Sequence, residues 1–143
     1  MNKFFGVLTL HFSLACPVVL AQAQEVSQQQ AIQVAEVFIQ QNGYTFNPAK
    51  ASAFQYELFD AEEKDVRAIL NARRNSLHPK AFCIIERPDS WHVGFLSTSE
   101  RLLSLNASQR QADLAGRVVV VSKHKKEVSM AHKEPLFSNF KKL

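Results

Sequence analysis

Apolar residues recur every three or four positions after Ser27, and this spacing predicts an amphipathic helix. The residues expected on its buried face are Ala31, Val34, Ala35, Phe38 and Ile39. Ser27 and Gln30 have the spacing of a capping box, in which each side chain bonds to the backbone of the other residue. Gly43 predicts the end of the helix, because glycine takes the left-handed backbone conformation without steric cost.

A second helix is predicted over residues 61–76, where Val66, Ile69, Leu70 and Arg73 lie near one face. Acidic residues fill its opening turns and Arg73-Arg74 its end, which suits the helix dipole. Pro79 then prevents it from continuing. Between the two helices, the alternation of Phe54, Tyr56 and Leu58 predicts a short strand within residues 51–59.

The second half of the chain predicts strands. Residues 81–87 and 91–98 are rich in bulky apolar side chains, and Pro88-Asp89-Ser90 between them is typical of a turn. Four consecutive valines in residues 117–123 predict a strand covered on both faces, and residues 127–131 complete a hairpin. The polar stretch 99–116 is either a hairpin arm or a loop with a helical turn. This order of elements predicts an α+β fold, with N-terminal helices packed on a curved antiparallel sheet.

Residues 1–23 have the pattern of a cleaved export signal. Lys3 is followed by a nearly uncharged apolar run, and Ala21-Gln22-Ala23 gives the small-x-small cleavage motif. The run is too short to favour a permanent membrane span, so residues 24–143 are predicted to be one exported, periplasmic domain. Two alternatives remain open at this point: a lipid anchor at Cys16, although Ser13 and Pro17 fit that motif poorly, and an uncleaved N-terminal anchor.

Loss of this leader changes the charge and the cysteine count. The leader contains one basic residue, Lys3, and none of the 13 acidic ones, so the net charge falls from +4 to +3. That excess is too small to indicate nucleic-acid binding. Cys83 is then left without a partner for a disulfide. Its apolar neighbours favour a buried thiol, and a reactive nucleophile is the alternative.

No strong catalytic motif is present, and we predict neither enzymatic activity, nor a cofactor, nor a metal site. If Pro88-Asp89 form the turn, His92 lies diagonally opposite Cys83 on one sheet face. A Cys–His dyad is therefore conceivable, but a half-exposed histidine beside a buried thiol explains the same pattern. The histidines do not have the short spacing of a zinc site.

The candidate partner-binding residues are Arg73, Arg74, Trp91, His92 and, within the polar stretch 99–116, Arg101. Two arginines present planar groups that match carboxylates, although cations at the end of a helix explain the pair equally simply. The tail 135–140 contains Phe137 and Phe140. These rings either bind a partner or pack back onto the domain.

Several of these motifs together resemble a known family. They are the 27–44 helix, the run Arg74-Asn75-Ser76-Leu77, the strand with Trp91, Val93 and Phe95, and the valine-rich hairpin. The combination is similar to small exported bacterial NTF2-like-fold immunity proteins and, more loosely, to PepSY-type inhibitory modules. The resemblance implies an NTF2/cystatin-like cone that neutralises an envelope-targeting toxin or hydrolase by protein–protein binding. The alternative is an NTF2-like ligand-binding or enzymatic domain with a pocket between helix and sheet.

Overall fold

The computed structural model describes residues 25–47, 49–98, 116–131 and 137–143. They form helices α1 (Gln28–Gln41) and α2 (Val66–Arg73) and strands β1 (Cys83–Glu86), β2 (Ser90–Leu96), β3 (Gly116–Ser122), β4 (Val128–Met130) and β5 (Lys141–Lys142). The strands make one open antiparallel sheet in the order β4-β3-β2-β1-β5. The predicted α+β class is therefore confirmed, whereas the cone shape stays a prediction.

Helix α1 follows the sequence prediction closely at both ends. The Ser27 backbone amide donates to Gln30 Oε1 at 2.9 Å, and the Gln30 amide donates to Ser27 Oγ at 3.3 Å, which completes the capping box. Gly43 follows the helix with a φ of +83°. Of the five residues expected on the buried face, Val34 is the exception because it is 40% exposed. It lies at the edge of the apolar stripe, beside the edge strand β4 rather than over the centre of the sheet.

Helix α2 is shorter than predicted because its cap lies later in the sequence. The Asp65 side chain accepts from the Arg67 amide at 2.9 Å, so the helix begins at Val66 and the acidic residues before it are not helical. After its last turn, Asn75 takes a left-handed conformation with a φ of 62°, which ends the helix well before Pro79.

The prediction of a short strand within residues 51–59 is wrong. Two single 3₁₀ turns, Ala51–Ala53 and Leu58–Asp60, occupy this region instead. The alternation of Phe54, Tyr56 and Leu58 does not reflect burial on one sheet face, because Tyr56 and Leu58 are exposed.

The predicted order of strands in the second half is confirmed, and each observed strand end lies within two residues of its predicted position. Pro88 and Asp89 form the turn of the β1–β2 hairpin, and the Arg87 amide donates to the Ser90 carbonyl at 2.8 Å. Most of the stretch 99–116, including Arg101, lies outside the described residues. Strand β5 adds the chain terminus to the free side of β1, which the sequence pattern did not predict.

Each face of the sheet carries its own apolar cluster. On the inner face, α1 covers Val93, Phe95 and Val119. On the outer face, Cys83 and Val118 pack against Phe137, with Phe140 beside it. Strand β3 thus has buried valines on both faces, as predicted. The aromatic tail packs back onto the domain, and the rings of Phe137 and Phe140 meet edge to face, 5.5 Å between centroids.

The ring of Phe137 lies close to the sheet because glycine stands beneath it. A Cβ added at Gly94 would lie 2.6 Å from Cys83 Sγ and 2.6 Å from Phe137 Cε1. A methyl group there would force the ring or the strand to move. The absence of a side chain at Gly94 therefore allows Phe137 to pack directly on the outer face of the sheet.

We therefore expect Gly94→Ala to lower the free energy of unfolding by about 1–3 kcal/mol, the usual cost of overpacking. Urea unfolding of the purified protein measures it. Ser129→Ala, an exposed substitution on the same sheet face, serves as the control and should stay within about 0.5 kcal/mol. Equal stability of Gly94→Ala and the unsubstituted protein would contradict the tight contact.

Candidate functional site

A cluster of five polar side chains lies where α2 meets the end of the sheet. Arg73 pairs with Asp60 and, at 3.6 Å, with Glu57, whose other oxygen accepts from Arg117 at 3.1 Å. The hydroxyl of Tyr44 donates to Glu57. Arg73 is only 4% exposed and Glu57 only 8%. Arg73, a candidate partner-binding residue in the sequence, is therefore buried in the domain and is not exposed on its surface.

The guanidinium of Arg73 is enclosed by rings as well as by carboxylates. Its Cζ lies 4.7 Å from the ring centroid of Tyr44 and 4.6 Å from that of Phe54, within the range of cation–π contact. Burial, together with the hydrogen bond to Glu57, raises the pKa of Tyr44, so this phenol stays protonated and acts as a donor. Two arginines balance two carboxylates here. This balance is typical of a structural network rather than of a site that moves protons.

Trp91 is also engaged within the protein. Its indole Nε1 donates to the Val26 carbonyl at 2.7 Å. The Lys123 ammonium lies 5.1 Å from the Trp91 ring centroid and pairs with Glu86 at 2.6 Å and Glu25 at 3.4 Å. The hydrogen bond to Glu86 is the main reason that the pKa of Lys123 is raised. This group fastens the segment before α1 to the sheet, so Trp91 is not a freely exposed anchor for a partner.

His92 and Cys83 have the diagonal relation that the hairpin register predicts. His92 pairs with Ile85 and Cys83 with Gly94, which places both side chains on the outer face. Burial raises the pKa of the Cys83 thiol to about 11. Burial and the charge of Arg87 lower the pKa of His92. A protonated thiol beside a neutral imidazole has none of the properties of an activated nucleophile.

Arg74 differs from its neighbour Arg73 by being exposed at the end of α2. Within residues 25–47, 49–98, 116–131 and 137–143, no three His, Cys, Asp or Glu side chains are placed to hold a metal ion. Among the helices of the same residues, none is long and apolar enough to cross a membrane.

An apolar groove, which sequence reasoning missed, runs between α1 and β4. We call it the α1–β4 groove. It has a volume of about 660 Å³ and is lined by Gln33, Val34, Val37, Phe38, Gln41, Gln55, Lys126, Glu127, Val128 and Ser129. Val34 and Val37 are 40% and 48% exposed, although each is an aliphatic side chain on α1. The sequence signal was present, because Val34 and Val37 make the apolar stripe of α1 wider than the sheet beneath it can cover.

Among the described residues, no strand pairs with β4 at the edge of the sheet beside this groove. Ser122 and Ala131 donate their amides to Glu127 and Val118 across the β3–β4 pair. Since backbone groups alternate in direction along a strand, those of Val128 and Met130 point away from β3. In the described part of the chain no backbone group bonds to this side of β4.

Comparison with family models, with curated proteins and with solved structures finds no match for this chain.

The ion cluster makes a first prediction for this region. Replacing Arg73 by methionine leaves Asp60 without the cation that it pairs with, and leaves the buried Glu57 paired only with Arg117 among the described residues, so we expect a loss of about 3–5 kcal/mol in unfolding free energy. Arg74→Met is the matched control, since it removes the same charge one residue away at an exposed position. Chemical denaturation of both variants measures the difference. A similar, small loss in both would show that the cluster contributes little.

The thiol makes a second prediction. At pH 8 Cys83 should react with a maleimide only slowly in the native protein and rapidly in urea, because its folded form is buried and protonated. Peptide mapping by mass spectrometry reads the modification at Cys83 specifically. Fast labelling of the native protein would mean that the outer face opens readily.

Proposed function

We propose that this protein is an exported binding protein of the inhibitor or immunity type, which neutralises a partner protein by contact and without turnover. The observation that carries this proposal is the combination of a filled helix–sheet interface with an exposed apolar groove on its flank. Val93, Phe95 and Val119 have no exposed surface beneath α1, whereas Val34 and Val37 line a concave apolar surface that lacks a partner in the described chain.

The alternative function, a ligand pocket or active site between helix and sheet, has less support. Such a site needs an interior cavity with polar groups directed into it. Side chains alternate between the two faces along a strand. Val93 faces α1, so the adjacent His92 lies on the opposite face, in register with Ile85 and Val120. The Tyr56 hydroxyl donates to the Glu63 carbonyl at 2.7 Å, and its side chain is half exposed.

The groove and the open edge together suit an extended segment of a partner protein. A strand added to β4 would bond to the outward backbone groups of Val128 and Met130 and place alternate side chains toward Val34 and Val37. Lys126, at the β3–β4 turn, is exposed and lines the groove. It would favour an acidic residue at the corresponding position of the segment.

The leader pattern in residues 1–23 supports a periplasmic location for this binding. Toxins or hydrolases that act on the envelope would be the matching partners there. The proposed fold relation is to cystatin-like and NTF2-like cones, in which a helix lies across a curved sheet. A standard interface buries about 1,600 Å² in total, with a few residues supplying most of the affinity. The groove would supply its apolar centre.

Binding of a partner from envelope extract by the immobilised protein tests this proposal. We expect Val37→Glu to weaken retention of that partner at least tenfold, because a charge at the centre of an apolar contact costs about 2 kcal/mol or more. The fold should be unaffected, since Val37 is half exposed.

Gln29→Glu is the matched control: it adds the same charge to an exposed position of α1 outside the groove. It should retain the partner as the unsubstituted protein does. The proposal fails if no protein is retained at all, or if both variants lose the partner equally.

A further inference from the structure

A second concave surface lies between α2 and the loop that follows α1. We call it the α2–loop cavity, and its volume is about 250 Å³. Arg67, Leu70, Asn71 and Arg74 form the helix wall, and Thr45 and Asn47 contribute to the loop wall. The two walls approach closely at Gly43, where an added Cβ would lie 2.8 Å from Leu70 Cδ2.

The polar residues of the helix wall lie on one face of α2 because of their spacing in the sequence. Positions 67, 71 and 74 are four and three residues apart, so their side chains lie on the same face of α2. Arg67 and Arg74 are therefore roughly 10 Å apart along the helix axis, and both side chains reach the rim of the same cavity. Arg73 points elsewhere, because adjacent helical residues differ by about 100° in direction.

The two rim arginines are exposed, and they lack the ion pairs that the buried Arg73 and the half-buried Arg117 form. Arg73 and Arg117 each pair with a carboxylate. In the described part of the chain neither Arg67 nor Arg74 forms an ion pair. An anion between them would be attracted by both charges.

The loop wall supplies an independent observation. Thr45 is only 2% exposed, yet its hydroxyl has no hydrogen-bond partner among the described residues. Buried hydroxyl groups are normally bonded, so an unbonded one in a residue that lines a polar cavity needs an explanation. A ligand that accepts a hydrogen bond from Thr45, once its side chain rotates toward the cavity, provides it, and the amides of Asn47 and Asn71 offer further donors.

We propose that the α2–loop cavity binds a compact organic dianion through its carboxylates, with Arg67 and Arg74 each holding one anionic group. The planar guanidinium pairs with a carboxylate through two parallel hydrogen bonds. The cavity is smaller than the 300–1,000 Å³ typical of drug-sized ligands, which restricts the occupant to a short dicarboxylate or to two acidic side chains of a peptide. The site does not depend on partner binding at the α1–β4 groove.

Isothermal titration with glutarate at constant ionic strength tests this site on the full protein. We expect saturable binding to the unsubstituted protein and at least tenfold weaker binding to Arg67→Gln and to Arg74→Gln. Lys64→Gln is the matched control, since it removes one exposed charge just before α2 and outside the cavity. It should bind within a factor of two of the unsubstituted protein.

Thr45→Val separates a ligand role from a structural one. Valine has nearly the same shape, so removing an unbonded hydroxyl should leave the melting temperature unchanged or higher, while glutarate binding weakens severalfold. A short peptide with two adjacent aspartates forms a second arm of the titration. Binding of that peptide alone, lost in both arginine variants, would support carboxylates supplied by a protein partner. Absence of binding by both probes, or equal binding by the two arginine variants and the unsubstituted protein, overturns the proposal.

Discussion

The buried ion pairs of Arg73 with Glu57 and Asp60 are the interaction on which the arrangement of residues 42–74 depends. It lies at the last turn of α2 and meets carboxylates from Glu57 and Asp60, in a segment that has little regular structure of its own. Tyr44, directly after the turn that ends α1, donates a hydrogen bond to the carboxylate of Glu57. One cation therefore fixes the loop after α1, the 54–60 segment and α2 relative to one another. A charge removed from water tolerates only an arrangement that keeps its partners in place.

This constraint also determines what α2 presents to solvent. With Arg73 held inward, the face that carries Arg67 and Arg74 has to point toward the loop, and Gly43 allows that loop to approach. The proposed anion site thus arises from the ion cluster without sharing a residue with it. Loss of Arg73 would be expected to disturb the cavity, whereas loss of Arg74 would leave the cluster intact.

Both faces of the sheet, by contrast, are largely covered by other parts of the domain. Helix α1 covers one face, and the tail with Phe137 covers part of the other. Little of either face near the core is left for a ligand, so the surfaces suited to binding lie at the margins, along the flank of α1 and the open edge of β4. An open edge beside an apolar groove is a liability for a monomer, and a partner that covers both would relieve it.

The sequence by itself determined α1, its capping box and the β1–β2 and β3–β4 hairpins, because these follow from contacts between residues close in the chain. It did not determine whether Arg73 or Arg74 faces inward, because neighbouring helical arginines have the same local pattern and only the position of Glu57 and Asp60 distinguishes them. The exposure of Val34 and the docking of the tail were likewise decided by tertiary structure. A helix's apolar stripe shows which residues avoid water, but the width of the sheet beneath it decides how many of them are buried.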